Sequence, residues 1–260
     1  MIKIIADYKI PFLKGALEPF TDIVYTSGNE INNEMLRDAD ALLIRTRTLC
    51  NKTLLEDTNV KFIATATIGF DHIDTGFCRA KNIQWSNAPG CNSGSVMHYM
   101  ASALVQLSLK YNIKFSDKTI GIIGYGNVGS KVAKLATALG FKVLINDPPL
   151  HRAGKLKNHV PLEQLKKQAD IITLHVPLNK EGIDKTLYLV DQAFIESLKS
   201  SALIINTSRG NIIDNQHLKE ALQNKQIRGA VLDVWENEPN LDVQLLDLVD
   251  IATPHIAGYS

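Results

Sequence analysis

With 260 residues, 45% of them apolar and 21% charged, the chain is long enough for two modest domains, each with its own core. Its 28 basic and 27 acidic residues leave a formal net charge of +1, so no global field favours nucleic acid or an anionic membrane surface. Asp7 comes too early for a secretory leader, no apolar run nears the roughly 20 residues of a bilayer span, and the three cysteines stand far apart, which together predict a reducing, cytoplasmic setting.

Short β-rich runs alternate with helix-like stretches along the whole chain. In the N-terminal part, strands are predicted at 2–6, 23–25, 41–45, 62–67 and 83–85, with helices at 33–39, 53–56 and 73–80. The pattern breaks at Ala88-Pro89-Gly90-Cys91-Asn92. A long helix is expected to follow from 93 to about 111, capped by Asn92 or Ser93. A second alternating set has strands at 119–123, 142–145, 171–175, 203–206, 230–234 and 251–252, and helices at 128–139, 162–169, 193–198 and 216–223. Alternation of this kind predicts an α/β protein with two doubly wound parallel-sheet domains, divided as 1–92 and 93–260.

The first chemical signal is Gly124-Tyr125-Gly126-Asn127-Val128-Gly129, placed directly between a β-branched strand and a helix. In that context Gly124 permits a tight turn, Gly126 lets backbone approach a pyrophosphate, and Gly129 allows close helix–strand packing. Asp147, at the end of the next strand roughly 20 residues on, suits the ribose diol of NAD and repels the 2′-phosphate of NADP. The alternative is a turn glycine cluster followed by an ordinary strand-end aspartate.

Three later strand ends carry Arg209, Glu238 and His255. All C-terminal strand ends of an open α/β sheet face one crevice, so these residues can converge. An arginine offers a fork for a carboxylate. A histidine can take a hydroxyl proton as hydride leaves the same carbon, and a glutamate beside it fixes its tautomer. Taken singly, the residues read as a surface ion pair and a loop cap. Behind a dinucleotide loop they read as catalytic.

These features resemble the D-isomer-specific 2-hydroxyacid dehydrogenases over essentially the whole chain. The likeness is carried by the Arg–Glu–His trio, the glycine loop, and the segments 65–74, 88–92, 146–149 and 255–259. It implies a flavodoxin-like substrate domain (1–92) and a Rossmann NAD-binding domain (93–260). It further implies oxidation of 4-phospho-D-erythronate at C2 to 2-oxo-3-hydroxy-4-phosphobutanoate, a step in pyridoxal 5′-phosphate synthesis. Arg209 would hold the substrate carboxylate, His255 would be the acid/base, and Glu238 would tune it. Thr46, Thr67 and Tyr259 match substrate-contacting positions. Asp147, Asp233 and Gly258 match NAD-contacting ones, beside Gly124, Gly126, Asn127, Val128 and Gly129. Val176 departs from the pattern by replacing a threonine, and Thr46 stands where serine is usual. Arg45 and Arg47 are one option for the substrate phosphate. Another D-2-hydroxyacid, 3-phosphoglycerate-like, is the alternative substrate, and an NAD-sensing protein without turnover is the alternative class. No metal is implied. Family members continue past the histidine motif with a return helix, and the vitamin-B6 enzyme adds a dimerisation domain. Both are expected to be missing here, with a homodimer expected of the longer form.

Overall fold

The computed structural model describes residues 1–259 and divides into two compact units, Met1–Cys91 and the chain from Asn92 onward. Every strand pairing in both is parallel, and helices alternate with strands.

The first unit contains β1 (Ile2–Asp7), β2 (Thr21–Thr26), α1 (Asn33–Leu36), β3 (Ala41–Ile44), α2 (Lys52–Leu55), β4 (Phe62–Thr65), α3 (Thr75–Ala80) and β5 (Gln84–Ser86). Its sheet runs β2-β1-β3-β4-β5, the flavodoxin-like order. Ile5, Leu42, Ile44 and Ile63 of the sheet form one core with Leu36, Leu54, Leu55 and Cys78 of the helices. Each short helix starts on an Asx cap. The Asn32, Asn51 and Asp74 side chains accept from the N–H of Met35, Leu54 and Phe77.

The second unit contains α4 (Ser93–Tyr111), β6 (Thr119–Ile123), α5 (Asn127–Ala138), β7 (Lys142–Asn146), α6 (Pro148–Arg152), α7 (Leu162–Gln168), β8 (Ile171–Leu174), α8 (Gln192–Glu196), β9 (Leu203–Asn206), α9 (Asn215–Gln223), β10 (Gly229–Leu232), α10 (Val243–Leu248) and β11 (Ile251–Ala252). Its sheet runs β11-β10-β9-β8-β6-β7. Successive residues of the buried strands point to opposite faces. Ile171, Leu203, Ile205 and Val231 pack with Met100 and Leu104 of α4 and Val132 and Ala136 of α5. Ile172, Ile204, Ala230 and Leu232 pack with Leu165, Phe194, Leu218 and Leu245 of α7–α10. This sheet is therefore covered on both faces. The chain leaves β6 to one side through β7 and returns to the other side through β8, so the switch point lies at the end of β6, beside Gly124.

Several elements differ from expectation. The predicted helix 33–39 stops at Leu36, and the strand read as 62–67 stops at Thr65, beyond which the Thr67 hydroxyl donates to the Gly69 carbonyl. Helix α6 is absent from the predicted elements; Asp147 caps it and two prolines with pre-set φ begin it. Helix α10, capped by Asp242, was likewise missed. Asn92 occupies the N-cap position of α4 but makes no side-chain capping bond, contrary to the capping role predicted for it. Its amide packs instead against Gly258, where a Cβ would lie 2.4 Å from Asn92 Nδ2.

Candidate active site

At the switch point the glycines do three different jobs. Gly124 has φ +90, and a Cβ there would meet the His175 carbonyl oxygen. Gly129 is pressed so closely on Gly124 that a Cβ would overlap the Gly124 carbonyl oxygen. Gly126, exposed at the N-cap of α5, has nothing within 4 Å of a Cβ position. The first two fix strand, turn and helix against one another, and the third leaves an open cradle over the first-turn N–H groups of Asn127 and Val128. Asp147 is tied to this loop: its carboxylate oxygens accept from Tyr125 N–H (2.8 Å) and Leu150 N–H (2.9 Å). Val176 lies against the turn, with Cγ1 2.9 Å from a Gly124 Cβ position, so an apolar side chain lines it. Burial pushes the neighbouring His175 down to about 3, which keeps it neutral.

Arg209, Glu238 and His255 come together beyond the ends of β9, β10 and β11. Asn206, buried at the end of β9, folds the Arg209 loop. Its Oδ1 accepts from Ser208 N–H and Oγ (3.0 and 2.8 Å), while its Nδ2 donates to the Arg209 carbonyl (2.9 Å). Gly210 then packs its Cα on the Trp235 backbone, where any Cβ would overlap the Trp235 carbonyl. That contact brings the Arg209 loop onto the segment carrying Glu238. Glu238 Oε1 accepts from Trp235 N–H (2.8 Å) and Oε2 from His255 Nδ1 (2.9 Å). A carboxylate only accepts, so Nδ1 carries the hydrogen and Nε2 is the remaining ring nitrogen. Burial opposes the Glu238 charge. The bonds from His255 and Trp235 and the charges of His255 and Arg209 outweigh it, holding the carboxyl below the usual range.

Asp233, at 1% exposure, organises the histidine loop. Its carbonyl accepts from His255 N–H (2.7 Å), Oδ1 from Ile256 N–H (2.8 Å) and the Thr253 hydroxyl (2.6 Å), and Oδ2 from Ala257 N–H (2.8 Å). Sequence reading placed Asp233 among the cofactor contacts. The structure turns its carboxylate onto the loop that presents His255 and Gly258.

In the first unit, Thr46 is exposed just after β3 and Thr67 lies just after the adjacent β4. Thr67 donates to the Gly69 carbonyl (2.9 Å), so it accepts from Thr65 (2.7 Å), which in turn accepts from His72 Nε2 (3.0 Å). Arg45 and Arg47 follow β3, and Tyr259 is exposed in the second unit. Sequence reading assigned no role to Asn206, Thr65 or His72, and it gave Asp233 a cofactor contact but not this bracing of the histidine loop. Asn206 and Thr65 lie within three residues of a predicted site residue, the one local signal that could have flagged them.

Residues 100–257 match the family model for the NAD-binding domain of D-isomer specific 2-hydroxyacid dehydrogenases. The chain is 51% identical to an erythronate-4-phosphate dehydrogenase of Bacteroides fragilis over 260 residues, all of this chain and 75% of the relative. It is 52% identical to the Bacteroides thetaiotaomicron protein of the same name, with the same coverage. The chain belongs to the D-isomer-specific 2-hydroxyacid dehydrogenase family. A structure of D-lactate dehydrogenase from Aquifex aeolicus, complexed with NAD and lactic acid, superposes with a TM-score of 0.83 at 27% identity, covering 99% of this chain and 89% of that one. A Staphylococcus aureus NAD-dependent formate dehydrogenase shares the fold, with a TM-score of 0.81 at 24% identity over 100% of this chain and 90% of that one.

The chain is an NAD-dependent 2-hydroxyacid dehydrogenase, and its residues fit the cofactor. The space above Gly126 that a Cβ would fill is where backbone must meet a pyrophosphate. Each Asp147 oxygen accepts one backbone N–H and keeps a lone pair for a ribose hydroxyl. Among the described residues, no helix is long and apolar enough to cross a membrane, and no cluster of His, Cys, Asp and Glu is placed to hold a metal ion.

Proposed function

We propose that this dehydrogenase oxidises 4-phospho-D-erythronate at C2 to 2-oxo-3-hydroxy-4-phosphobutanoate, in the route to pyridoxal 5′-phosphate. The observation that carries this reading is identity of about half with relatives named for that substrate, along the full chain. Accepting the C2 hydride is the chemistry NAD supplies when bound. The chain's own residues do the rest. Arg209 holds the substrate carboxylate through its guanidinium fork. His255, neutral with its hydrogen on Nδ1, takes the C2 hydroxyl proton at Nε2. Glu238 orients the ring and stabilises the imidazolium that forms. Thr46, Thr67 and Tyr259 contact the substrate. Gly124, Gly126, Asn127, Val128, Gly129, Asp147, Asp233 and Gly258 form the NAD site. Residues 1–92 serve as the substrate domain and 93–260 as the NAD domain. The working form is a cytoplasmic homodimer.

Turnover on 4-phospho-D-erythronate, 3-phosphoglycerate and D-lactate, followed as NADH formation, tests the substrate. The expected kcat/KM for 4-phosphoerythronate exceeds the others at least ~10-fold, the discrimination a lost charged or hydrogen-bonded group gives. Preference for 3-phosphoglycerate overturns the assignment. H255A is expected to lower kcat about 10²- to 10⁴-fold, the range of general acid–base catalysis. NAD binding without turnover on any acid would favour a sensing role.

A further inference from the structure

His255 has φ +58, in the left-handed region that a non-glycine residue holds only when its surroundings impose it. The Asp233 carbonyl and carboxylate supply part of that constraint through His255, Ile256 and Ala257 N–H groups. The rest arrives through Thr253, two residues before His255. The Asp233 carboxylate is acceptor-only, so the Thr253 hydroxyl must spend its single hydrogen on Oδ1 (2.6 Å). Thr253 Oγ1 can then only accept from Tyr99, whose hydroxyl lies 2.7 Å away. Burial, aided by the Asp233 charge, raises the Tyr99 phenol above its ordinary value, so it stays a donor. The order Tyr99→Thr253→Asp233 is therefore fixed in direction.

The same threonine is held a second time, its carbonyl accepting from Trp235 Nε1 (2.9 Å). Tyr99 sits on α4, whose flanking Val96, Met100 and Ala103 are buried in the core. The chain of hydroxyls thus anchors the histidine loop to α4, a 19-residue helix with a buried inner face, not to another loop. We propose that Tyr99 and Thr253 are positioning residues for His255, acting through this one-way hydroxyl chain onto Asp233. The proposal rests on His255 being the acid/base.

Four variants test it: Y99F, T253V, T253S and H255A. Amide hydrogen exchange of segment 255–257, measured without cofactor, is expected to speed up about tenfold in Y99F and more in T253V, with T253S within twofold of wild type. In the turnover assay, kcat is expected to fall about fivefold for Y99F and about 30-fold for T253V, with both KM values within threefold and T253S restoring kcat. A purely structural role would lower thermal stability without this split or the serine rescue. Unchanged exchange and kcat in Y99F and T253V, while H255A is inactive, overturns the proposal and leaves the acid/base reading standing. An active H255A removes both. If T253V does not fold, Y99F and T253S decide the matter.

Discussion

A methyl group added at Gly126 and one added at Gly129 should separate cofactor binding from folding. At Gly129 a Cβ would lie 1.9 Å from the Gly124 carbonyl oxygen. Ordinary contact starts near 3.4 Å, so the helix and the turn must part by about 1.5 Å. Helix α5 cannot slide freely, because Val132, Ala133 and Ala136 are buried in the core. Overpacking of this kind costs roughly 1–3 kcal/mol. For G129A we expect a fall in melting temperature of about 2–12 °C for a domain of this size. Its NAD affinity should also fall, by about 5- to 100-fold if most of the strain is relieved by moving the phosphate loop, at 1.4 kcal/mol per tenfold. At Gly126 nothing lies within 4 Å of a Cβ and φ is −75, so the fold should accept alanine with no loss of melting temperature. The methyl would nevertheless stand in the cradle, and NAD affinity should fall at least tenfold, as backbone–pyrophosphate approach is blocked. Calorimetric NAD titration and thermal unfolding of both variants read the two effects separately. Wild-type NAD affinity in G126A would refute the placement of the pyrophosphate over this turn.

Replacing Glu238 by glutamine should lower kcat about 10- to 100-fold, with little change in NAD affinity, since the imidazolium loses its counter-charge. The same variant has a pH signature. The folded Glu238 carboxyl titrates below its ordinary value. Its stabilising contribution is therefore present above the unfolded value of about 4.3 and disappears as pH falls through the folded one. The melting-temperature gap between wild type and E238Q should be fully developed above the unfolded carboxyl value of about 4.3 and close as pH falls through the lower folded one; a gap constant with pH would count against a stabilised Glu238 charge. In the first unit, T65V should cut the link from His72 to Thr67 and raise the KM for the hydroxyacid several-fold with NAD affinity intact, on the scale of one lost neutral hydrogen bond, about 1 kcal/mol. An unchanged KM would separate Thr67 from substrate binding. D147N should narrow the NAD preference over NADP by about tenfold or more as the charge facing a 2′-phosphate disappears, read as the ratio of the two Kd values; an unchanged ratio would mean Asp147 does not meet the ribose.

Local sequence determined a good deal. Short apolar and β-branched runs marked eleven strands, and the central ones, such as β8, β9 and β10, are legible because a buried parallel strand must be apolar on both faces. The Gly124–Gly129 spacing read as a phosphate loop because each glycine answers a backbone demand that spans only a few residues. Arg209, Glu238 and His255 were legible as unusual polar residues at strand ends. Sequence could not decide what holds them there. Asp233 is expected from the sequence as a cofactor contact; its carboxylate bonds to Thr253, Ile256 and Ala257, residues far along the chain, are not legible there. Gly210 and Tyr99 act in the same way, through partners that lie next to them only once β9, β10, β11 and α4 are packed. A strand's burial is written in its own residues, whereas a buried acceptor is defined by the donors that the tertiary fold brings to it.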